Sequence, residues 1–571
     1  MSALIALVVL GCFAAGYRYY ARYVGSRIFD DDEELLTPAH ELRDDRDFVP
    51  TPKSILFGHH FTSVAGAAPI VGPCVAAYWG WLPALAWVVL GAVFMGAVHD
   101  FGALVVSVRE KGRSIADVAG GLIGPRVRLM FLSFVLVLVW LVLAVFAMVI
   151  AGLFVAQPST VLPINIEILI ALVVGYLIYK RKTPAFMPSA VALLLLYLFV
   201  WIGSFVPLEL SFVGGADAQR KTWIVLLFVY SAAASLLPVW LLLQPRDYIN
   251  SHQLWVGLAL LFAGLFVAHP QIDAPALRVT DEHTPPIFPL LFVTIACGAI
   301  SGFHGLVSSG TTSKQLNRLR DARMVGYGAM LGEGTLALAS TLAAVAGIGL
   351  VGTCTLPGQG VVEDLSWHVY YQDWASAGAN KASAFVLGGG AFLEALGLST
   401  PIARTLMAVL VVSFAATTLD TATRIQRFIL HEMGDALDFA PLRNRYLATT
   451  IAVVPAAFLA FGEATEPGTQ QTKQLGWVLW PIFGASNQML AALTLMVLAI
   501  YFWVRRKPVL PLVIPLVLVV AVTISALFGK LSAFVAAGNY LLATLSAVLL
   551  ALVLWMLLEG GLRWRRGRDP A

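Results

Sequence analysis

Long, uninterrupted apolar runs are the feature that most constrains what this chain can fold into. About fifteen such runs occur, and a helix needs roughly 20 apolar residues to cross a bilayer. They lie at residues 1–24, 55–79, 82–109, 128–156, 162–180, 185–206, 221–244, 253–269, 287–308, 324–352, 402–430, 446–461, 475–504, 508–528 and 532–559. Because the runs do not alternate in pieces of about ten residues, they do not suit a transmembrane β-barrel. The sequence therefore predicts an all-α polytopic membrane protein with about 15 transmembrane helices.

Composition excludes the soluble classes. Hydrophobic residues make up 59% of the 571 positions and charged residues only 12%, which is too little polarity to cover a soluble surface. A net charge of +4 gives no reason to expect a nucleic-acid partner. The expected partners are a small-molecule or peptide substrate and the lipid bilayer, and the sequence leaves the oligomeric state open.

The distribution of lysine and arginine predicts the orientation of the chain, because cytoplasmic loops hold an excess of these residues. With the N-terminus outside, the inner segments hold 30 of the 37 basic residues. Those segments are 18–54, 109–128, 180–182, 246, 314–323, 424–445, 505–507 and 563–568. The outer side keeps Arg220, Lys221, Arg278, Lys381, Arg404, Lys473 and Lys530. We therefore predict a periplasmic N-terminus and a cytoplasmic C-terminus.

One apolar segment does not fit as a crossing. Residues 383–398 are too short to span a bilayer and contain three consecutive glycines. Counting them as a span would invert every later loop against the pattern of basic residues. We interpret the segment as a partly inserted outer helix on the mouth of the protein.

Two apolar spans contain residues that interrupt helices. The first, residues 58–73, holds three glycines and two prolines beside His59, His60, Thr62 and Ser63, and the second, residues 296–312, holds four glycines beside His304. Backbone N–H and C=O groups that lose their helical hydrogen bond at membrane depth are tolerated only inside the protein or beside a polar cavity. By the charge count the two spans cross in opposite directions, which is typical of an inverted repeat with paired discontinuous helices around a substrate. The alternative is close helix packing through small residues.

These breaks predict the substrate site. Helix ends at a break carry partial charge, and an N-terminal end suits a carboxylate. Asn487 follows a proline in a later span, where its amide would either join helices or line the cavity. The predicted substrate-binding residues are Thr62, Ser63, Gly66, Ala67, Ser301, Gly302, His304 and Asn487. Valine at Gly66 or Gly302 is expected to abolish uptake while the fold stays intact.

A third polar segment predicts ion or proton coupling. Thr417, Asp420, Thr421 and Arg424 follow the i, i+3, i+4, i+7 spacing of one helical face. With Thr418 they offer hydroxyl and carboxylate oxygens, which suit Na⁺ or a proton. The alternative is that Asp420 and Arg424 neutralise each other, since ion pairs are common near the ends of membrane helices.

Further coupling candidates are Glu333, His99 and Asp100, which are ionisable residues inside apolar spans. Glu333 has no basic residue within four positions, so burial favours its protonated form. His99 and Asp100 are adjacent and would point about 100° apart on a helix, so we expect no single site from these two alone. A structural hydrogen bond is the alternative role for His99.

The sequence contains no residue pattern typical of a metal site, an enzyme or a channel. Cys12, Cys74, Cys297 and Cys354 form no CxxC pair and have no histidine at a zinc-binding spacing. We therefore expect no metal, no cofactor beyond a coupling proton or Na⁺, and no catalytic residues. His59 and His60 alone are too little for an enzyme site, and a continuous polar stripe of the kind a channel needs is not evident.

Four motifs resemble those of the carbon starvation protein A family of bacterial transporters. They are FGHHFTSVAGAAPIVGP at 57–73, GAVHDFGALVVSVR at 96–109, SFAATTLDTATRIQRF at 413–428 and LWPIFGASNQMLAALTL at 479–495. The resemblance runs from the first span to about residue 504. It implies import of small peptides or pyruvate across the bacterial inner membrane, driven by protons, with induction on carbon starvation. Sodium-coupled amino-acid symport is the alternative.

The family resemblance also implies a fold, the five-plus-five inverted repeat shared by amino-acid and sodium symporters. Mapped onto this chain, residues 1–54 form an N-terminal span and cytoplasmic loop, and residues 55–206 form the first repeat. Residues 207–286 hold two inserted spans of unknown role. The second repeat covers 287–504, with the outer helix at 383–398, and residues 505–571 form two further spans and a basic tail.

Overall fold

Twenty-four α-helices make up most of the computed structural model, which describes residues 1–278, 284–356, 360–380, 382–465 and 472–567. The first twelve are α1 (Ser2–Ala15), α2 (Ala21–Val24), α3 (Pro38–Glu41), α4 (Lys53–Val64), α5 (Ala68–Ala76), α6 (Trp81–Gly91), α7 (Ala97–Arg109), α8 (Ile115–Leu122), α9 (Pro125–Ala156), α10 (Val161–Tyr179), α11 (Phe186–Phe205) and α12 (Ala216–Leu236). The other twelve are α13 (Leu243–Ala268), α14 (Ile287–Thr294), α15 (Gly302–Gly310), α16 (Ala329–Leu342), α17 (Trp367–Tyr370), α18 (Trp374–Asn380), α19 (Ser383–Glu394), α20 (Thr400–Ala436), α21 (Arg445–Phe461), α22 (Leu475–Val504), α23 (Leu510–Ala536) and α24 (Tyr540–Arg565). Two of the basic residues used for the orientation, Lys381 and Arg568, lie outside the described residues.

Short π-helical and 3₁₀ turns join several helices into longer rods, and two small antiparallel hairpins complete the structure. One hairpin pairs β1 (Thr353–Leu356) with β2 (Gly360–Glu363), and the other pairs β3 (Glu463–Thr465) with β4 (Thr472–Gln474). In the described ranges, eleven helical segments are long and apolar enough to cross a membrane, or up to twelve if a bent pair counts as one span. The prediction of an all-α polytopic membrane protein is confirmed, and the count of fifteen stays a prediction.

The first predicted break is present in the backbone. Helix α4 ends at Val64 and α5 begins at Ala68, and the two axes differ by 46°. Pro69 lies in the first turn of α5, where proline costs no hydrogen bond. The chain leaves helical geometry at Ala65, where ψ is +55°, and the helix that follows carries Pro69 in its first turn, so the proline marks the far side of the break.

The second break separates α14 from α15 at residues 295–301. Its backbone passes through the left-handed region at Gly298, where φ is +85°. Only glycine adopts this conformation without a steric cost. The sequence therefore also predicts the position of the second break.

The inserted helices differ from their prediction. We expected the polar residues between 244 and 253 to form a loop, but they lie inside α13, and Arg246 and Asp247 are fully buried there. Arg246 is therefore a helix residue and does not count toward the cytoplasmic loops. These charges are tolerated in the interior because Arg246 and Asp247 pair with ionisable groups on other helices. Such pairing depends on which helices become neighbours.

The segment predicted as an outer helix is the twelve-residue α19, which is too short for a crossing. It does not lie on a surface, because most of its residues are buried between α13, α20 and the end of the α16 rod. The glycines explain this close packing: a Cβ on Gly388 would lie 2.1 Å from the Ala343 carbonyl oxygen.

Candidate functional site

The two broken helices meet in the protein interior and run antiparallel. The imidazole Nδ1 of His60 lies 2.9 Å from the Thr312 hydroxyl, just beyond α15. A Cβ on Gly72 of α5 would lie 2.4 Å from the carbonyl oxygen of Thr294 at the end of α14. The first half of one broken helix thus packs against the second half of the other. Opposite crossing directions, which the basic residues predict, require this arrangement.

A histidine–aspartate pair lies beside the first break. His59 Nδ1 of α4 is 2.5 Å from Asp247 Oδ2 of α13, and both side chains are fully buried. One turn further along α4, the Ser63 hydroxyl lies 3.2 Å from the Thr421 hydroxyl of α20. We call His59, Asp247, Ser63 and Thr421 the first cluster. It joins a broken helix, an inserted helix and α20.

Asp420 has a different partner from the one that sequence spacing suggested. Its carboxylate forms a short ion pair with Arg246 of α13 and accepts a 2.6 Å hydrogen bond from the Tyr230 hydroxyl. Arg246 also binds Glu167 at 3.2 Å. The predicted alternative, mutual neutralisation of Asp420 and Arg424, is wrong. Helix α20 turns Arg424 toward the loop before α4, where it binds Asp47 at 2.5 Å.

The predicted threonines bind their own backbones first. Thr62 donates to the Gly58 carbonyl, and Thr417 and Thr418 both donate to the Phe414 carbonyl, each at 2.9 Å. These are i−3 and i−4 bonds typical of hydroxyls in membrane helices. The Thr417 hydroxyl also lies 3.3 Å from the Thr62 carbonyl oxygen. Helix α20 therefore touches the first broken helix.

Gly66 and Ala67 lie in the gap between α4 and α5, residues 65–67, and Gly66 faces α20. A Cβ on Gly66 would lie 2.8 Å from the Thr418 hydroxyl oxygen. Helix α5 begins without a side-chain cap. The start of this short helix is the end that would attract a carboxylate.

A second cluster of buried polar residues lies at the other break. His304 Nδ1 is 3.1 Å from Asp100 Oδ2, and His304 Nε2 is 3.2 Å from Glu333 Oε2. The other oxygen of Asp100 is 2.8 Å from His99 Nδ1. We call His99, Asp100, His304 and Glu333 the second cluster. We expect no single site from His99 and Asp100 alone; in the structure their side chains contact each other, and His304 completes the site.

Ser301, Gly302 and Asn487 form a cap at the start of α15. The Asn487 amide exchanges hydrogen bonds with the Ser301 hydroxyl at 3.0 and 3.3 Å, and its oxygen accepts the Phe303 N–H at 3.0 Å. A Cβ on Gly302 would lie 2.4 Å from the Asn487 carbonyl oxygen. Valine at Gly302 would therefore disrupt the packing of α15 on α22. The expectation that this variant keeps its fold is wrong.

Sequence reasoning missed the residues that hold the first cluster together. From the sequence, His59 was weighed only as a weak enzyme motif. Asp247, Arg246 and Tyr230 were not predicted to be site residues. Asp247 and Arg246 sit in a polar stretch between two apolar runs, which is typical of a loop. The available signal was Pro238, which lies inside the run predicted at 221–244 and separates the end of α12 at Leu236 from the start of α13 at Leu243.

Comparison with known proteins identifies the family. The family model described as "Carbon starvation protein CstA" matches residues 1–526. The peptide transporter CstA of Helicobacter pylori (strain J99) is 32% identical over 553 residues, covering 90% of this chain and 79% of its own. The peptide transporter CstA of Bacillus subtilis is 32% identical and covers 90% and 88%. The pyruvate/proton symporter BtsT of Escherichia coli is 31% identical and covers 89% and 80%.

Among solved structures, a manganese transporter of Eremococcus coleocola covers 91% of this chain and 99% of its own, with 13% identity and a TM-score of 0.45. That likeness is too weak to carry an assignment. The family match and the curated relatives are sufficient, and they confirm the resemblance seen in the four motifs. The chain belongs to the carbon starvation protein CstA family of membrane transporters.

Proposed function

We propose that this transporter imports small peptides or pyruvate across the bacterial inner membrane together with protons. The names of the relatives support both substrate classes, since one is a pyruvate/proton symporter and others are peptide transporters. Pyruvate and peptide C-termini share a carboxylate. In this proposal the N-terminus is periplasmic, the C-terminus is cytoplasmic, and carbon starvation induces expression.

The single observation that carries the proposal is the meeting of two antiparallel broken helices inside the protein. The substrate would lie between residues 62–67 of the first break and residues 301–304 of the second. The start of α5 is a positive helix end, which suits a carboxylate. The antiparallel contact also supports the five-plus-five inverted repeat and its proposed boundaries.

Proton coupling needs a group that changes protonation and touches a moving element. The His59–Asp247 pair meets both conditions, because His59 lies on the broken helix and an imidazole and a carboxylate 2.5 Å apart can share one proton. Asp420 is the weaker candidate, because its carboxylate is already held by the Arg246 guanidinium and the Tyr230 hydroxyl. We therefore assign the proton to the pair between α4 and α13, with Ser63 and Thr421 transmitting its state to α20.

The test separates exchange from accumulation. Exchange of internal for external substrate requires no net proton movement, whereas uphill accumulation does. We expect His59→Gln and Asp247→Asn to retain exchange in proteoliposomes and to lose accumulation driven by a pH gradient. His252→Gln is the matched control, since His252 is a partly buried histidine on α13 whose Nδ1 bonds its own helix at the Tyr248 carbonyl. Accumulation by His59→Gln at the control level would overturn the assignment.

Sodium-coupled amino-acid symport is the second candidate, and one contact favours it. The hydroxyls of Ser63, Thr417 and Thr421 and the carbonyl oxygen of Thr62 lie along the α4–α20 contact. Such a set of neutral oxygens suits Na⁺. Stimulation of uptake by Na⁺ at fixed pH would favour this candidate over proton coupling.

A further inference from the structure

Three residues of different ligand type converge at the second break. Cys297 lies in the gap before α15, His304 lies in the first turns of α15, and Glu333 lies on α16. One ligand atom from each lies within 4.8 Å of the other two. His304 and Glu333 are fully buried, and Cys297 is partly buried. They join the broken helix to α16, the next α-helix along the chain.

Neighbouring groups occupy one atom of His304 and one atom of Glu333, and the other two atoms contact each other. The Nδ1 of His304 faces Asp100 at 3.1 Å, and the Glu333 Oε1 accepts the Gly298 N–H at 3.0 Å. The remaining atoms, His304 Nε2 and Glu333 Oε2, are buried and form an ion pair with each other at 3.2 Å.

This arrangement resembles the surroundings of a metal-binding histidine. A ligating imidazole usually donates its other N–H to a carboxylate, which fixes the tautomer and the ring orientation. Asp100 is placed to do this for His304, and His99 in turn holds Asp100 at 2.8 Å. In a tetrahedral zinc site with bonds of about 2.0–2.3 Å, ligand atoms lie about 3.3–3.8 Å apart. The three atoms need to move by no more than about an ångström to reach that spacing.

We propose that Cys297, His304 and Glu333 bind a borderline-soft divalent cation such as Zn²⁺. A thiolate, an imidazole and a carboxylate supply three of the four ligands, and the fourth position stays open to water or to a substrate carboxylate. Binding removes the thiol proton of Cys297 to solvent, and the two positive charges of the ion match the thiolate and the Glu333 carboxylate. Mg²⁺ and Ca²⁺ prefer all-oxygen sites and bind more weakly here.

The position of the site predicts its effect on transport. The ion would tie the break before α15 to α16 and hold these two elements together, so Zn²⁺ inhibits uptake. This consequence rests on the proposed transport function. Binding itself does not, so the two can fail separately.

The binding test uses Co²⁺ as a spectroscopic probe on the full-length protein in detergent. Thiolate ligation gives a sulfur-to-cobalt charge-transfer band in the near ultraviolet, which oxygen and nitrogen ligands do not give. We expect one Co²⁺ per chain with this band, and its displacement by Zn²⁺. Cys297→Ser should lose the band and bind at least tenfold more weakly, whereas the matched control Cys354→Ser should behave like the wild type. Glu333→Gln should weaken binding while it keeps the band.

Two results would overturn the proposal: no charge-transfer band in the wild type, or the same band and affinity in Cys297→Ser. A transport arm compares Zn²⁺ inhibition in each variant with the uptake of that variant without metal. Inhibition of the wild type and of Cys354→Ser, but not of Cys297→Ser, supports the site. Equal inhibition of all three would contradict the role of this site in inhibition. If the wild type shows no uptake of any substrate, the proposed function fails while the binding result stands.

Discussion

At the scale of single residues, Arg246 shows how a charge is accommodated in the membrane core. Its guanidinium is 1% exposed and reaches Glu167, Asp420 and the Tyr230 hydroxyl, which lies 2.7 Å away. Removing one partner from a buried ion pair leaves an uncompensated charge, which costs more than the pair contributes. Arg246 therefore holds α13 to α10, α12 and α20.

Arg246→Met should destabilise the protein by about 3–5 kcal/mol, because it leaves two buried carboxylates without their cation. The measurement is unfolding of the purified protein in detergent. The matched control is Lys221→Met, which breaks an exposed ion pair with Asp217 on α12 and should cause no measurable change. Similar stability of Arg246→Met and the wild type would show that these carboxylates are protonated and need no cation.

At the scale of elements, the contact between the broken helices depends on Gly72. A Cβ on Gly72 would lie 2.4 Å from the Thr294 carbonyl oxygen, which is too close for two non-bonded atoms. Relieving this overlap requires a shift of the backbone, which costs more free energy than a side-chain rotation. We expect Gly72→Ala to cost about 1–3 kcal/mol and to reduce uptake strongly. Gly152→Ala on α9 is the control, since no atom lies within 4 Å of a Cβ there. If uptake and stability of Gly72→Ala match those of Gly152→Ala, the two breaks do not pack as described.

The loop before α4 is held to α20 by a second ion pair. Asp47 binds Arg424 at 2.5 Å and Arg427 at 3.0 Å. Burial of Asp47 disfavours its charge, but Arg424, Arg427 and Lys314 outweigh that effect and hold the pKa of Asp47 below its usual value of 3.8. A carboxylate with a lowered pKa stabilises the fold above its unfolded-state pKa and loses that contribution as pH falls through the folded value. The pair therefore persists across about pH 5 to 8.

Asp47→Asn should loosen this loop, because a neutral amide cannot balance two buried guanidinium groups. Hydrogen exchange of the amides at residues 44–51 should become faster than in the wild type. Asp45→Asn changes a neighbouring, exposed carboxylate and should leave the exchange of that segment nearly unchanged. Equal acceleration in both variants would show that the ion pair does not fasten the loop.

At the scale of the whole molecule, the apolar runs and the helix-breaking residues predicted the helices and their breaks, whereas the charged residues did not predict their own partners. The apolar runs predicted the helices, and the prolines and glycines near Pro69 and Gly298 predicted both breaks, because those effects are local to the backbone. Charge partners depend on which helices become neighbours. Asp420 could therefore be placed inside the protein from sequence, but its pairing with Arg246, 174 residues away, could not.

Orientation in the membrane is predicted by the basic residues and can be tested by labelling. We choose three exposed positions for labelling: Lys111 and Arg318 on the predicted inner side and Phe212 on the predicted outer side. In a background without native cysteines, an impermeant maleimide should label cysteine at Phe212 in intact spheroplasts. Cysteine at Lys111 or Arg318 should react only after permeabilisation. The reverse pattern would invert the topology and place the loop before α4 in the periplasm.

Uptake into proteoliposomes tests the central claim, proton-coupled import of a small carboxylate substrate, most directly. Labelled pyruvate, di- and tripeptides and amino acids are offered while the pH and Na⁺ gradients are varied separately. We predict that pyruvate or peptides accumulate under an inward proton gradient without Na⁺, and that a protonophore abolishes the accumulation. Accumulation that requires a Na⁺ gradient and ignores the pH gradient, or that occurs only for amino acids, would contradict the claim.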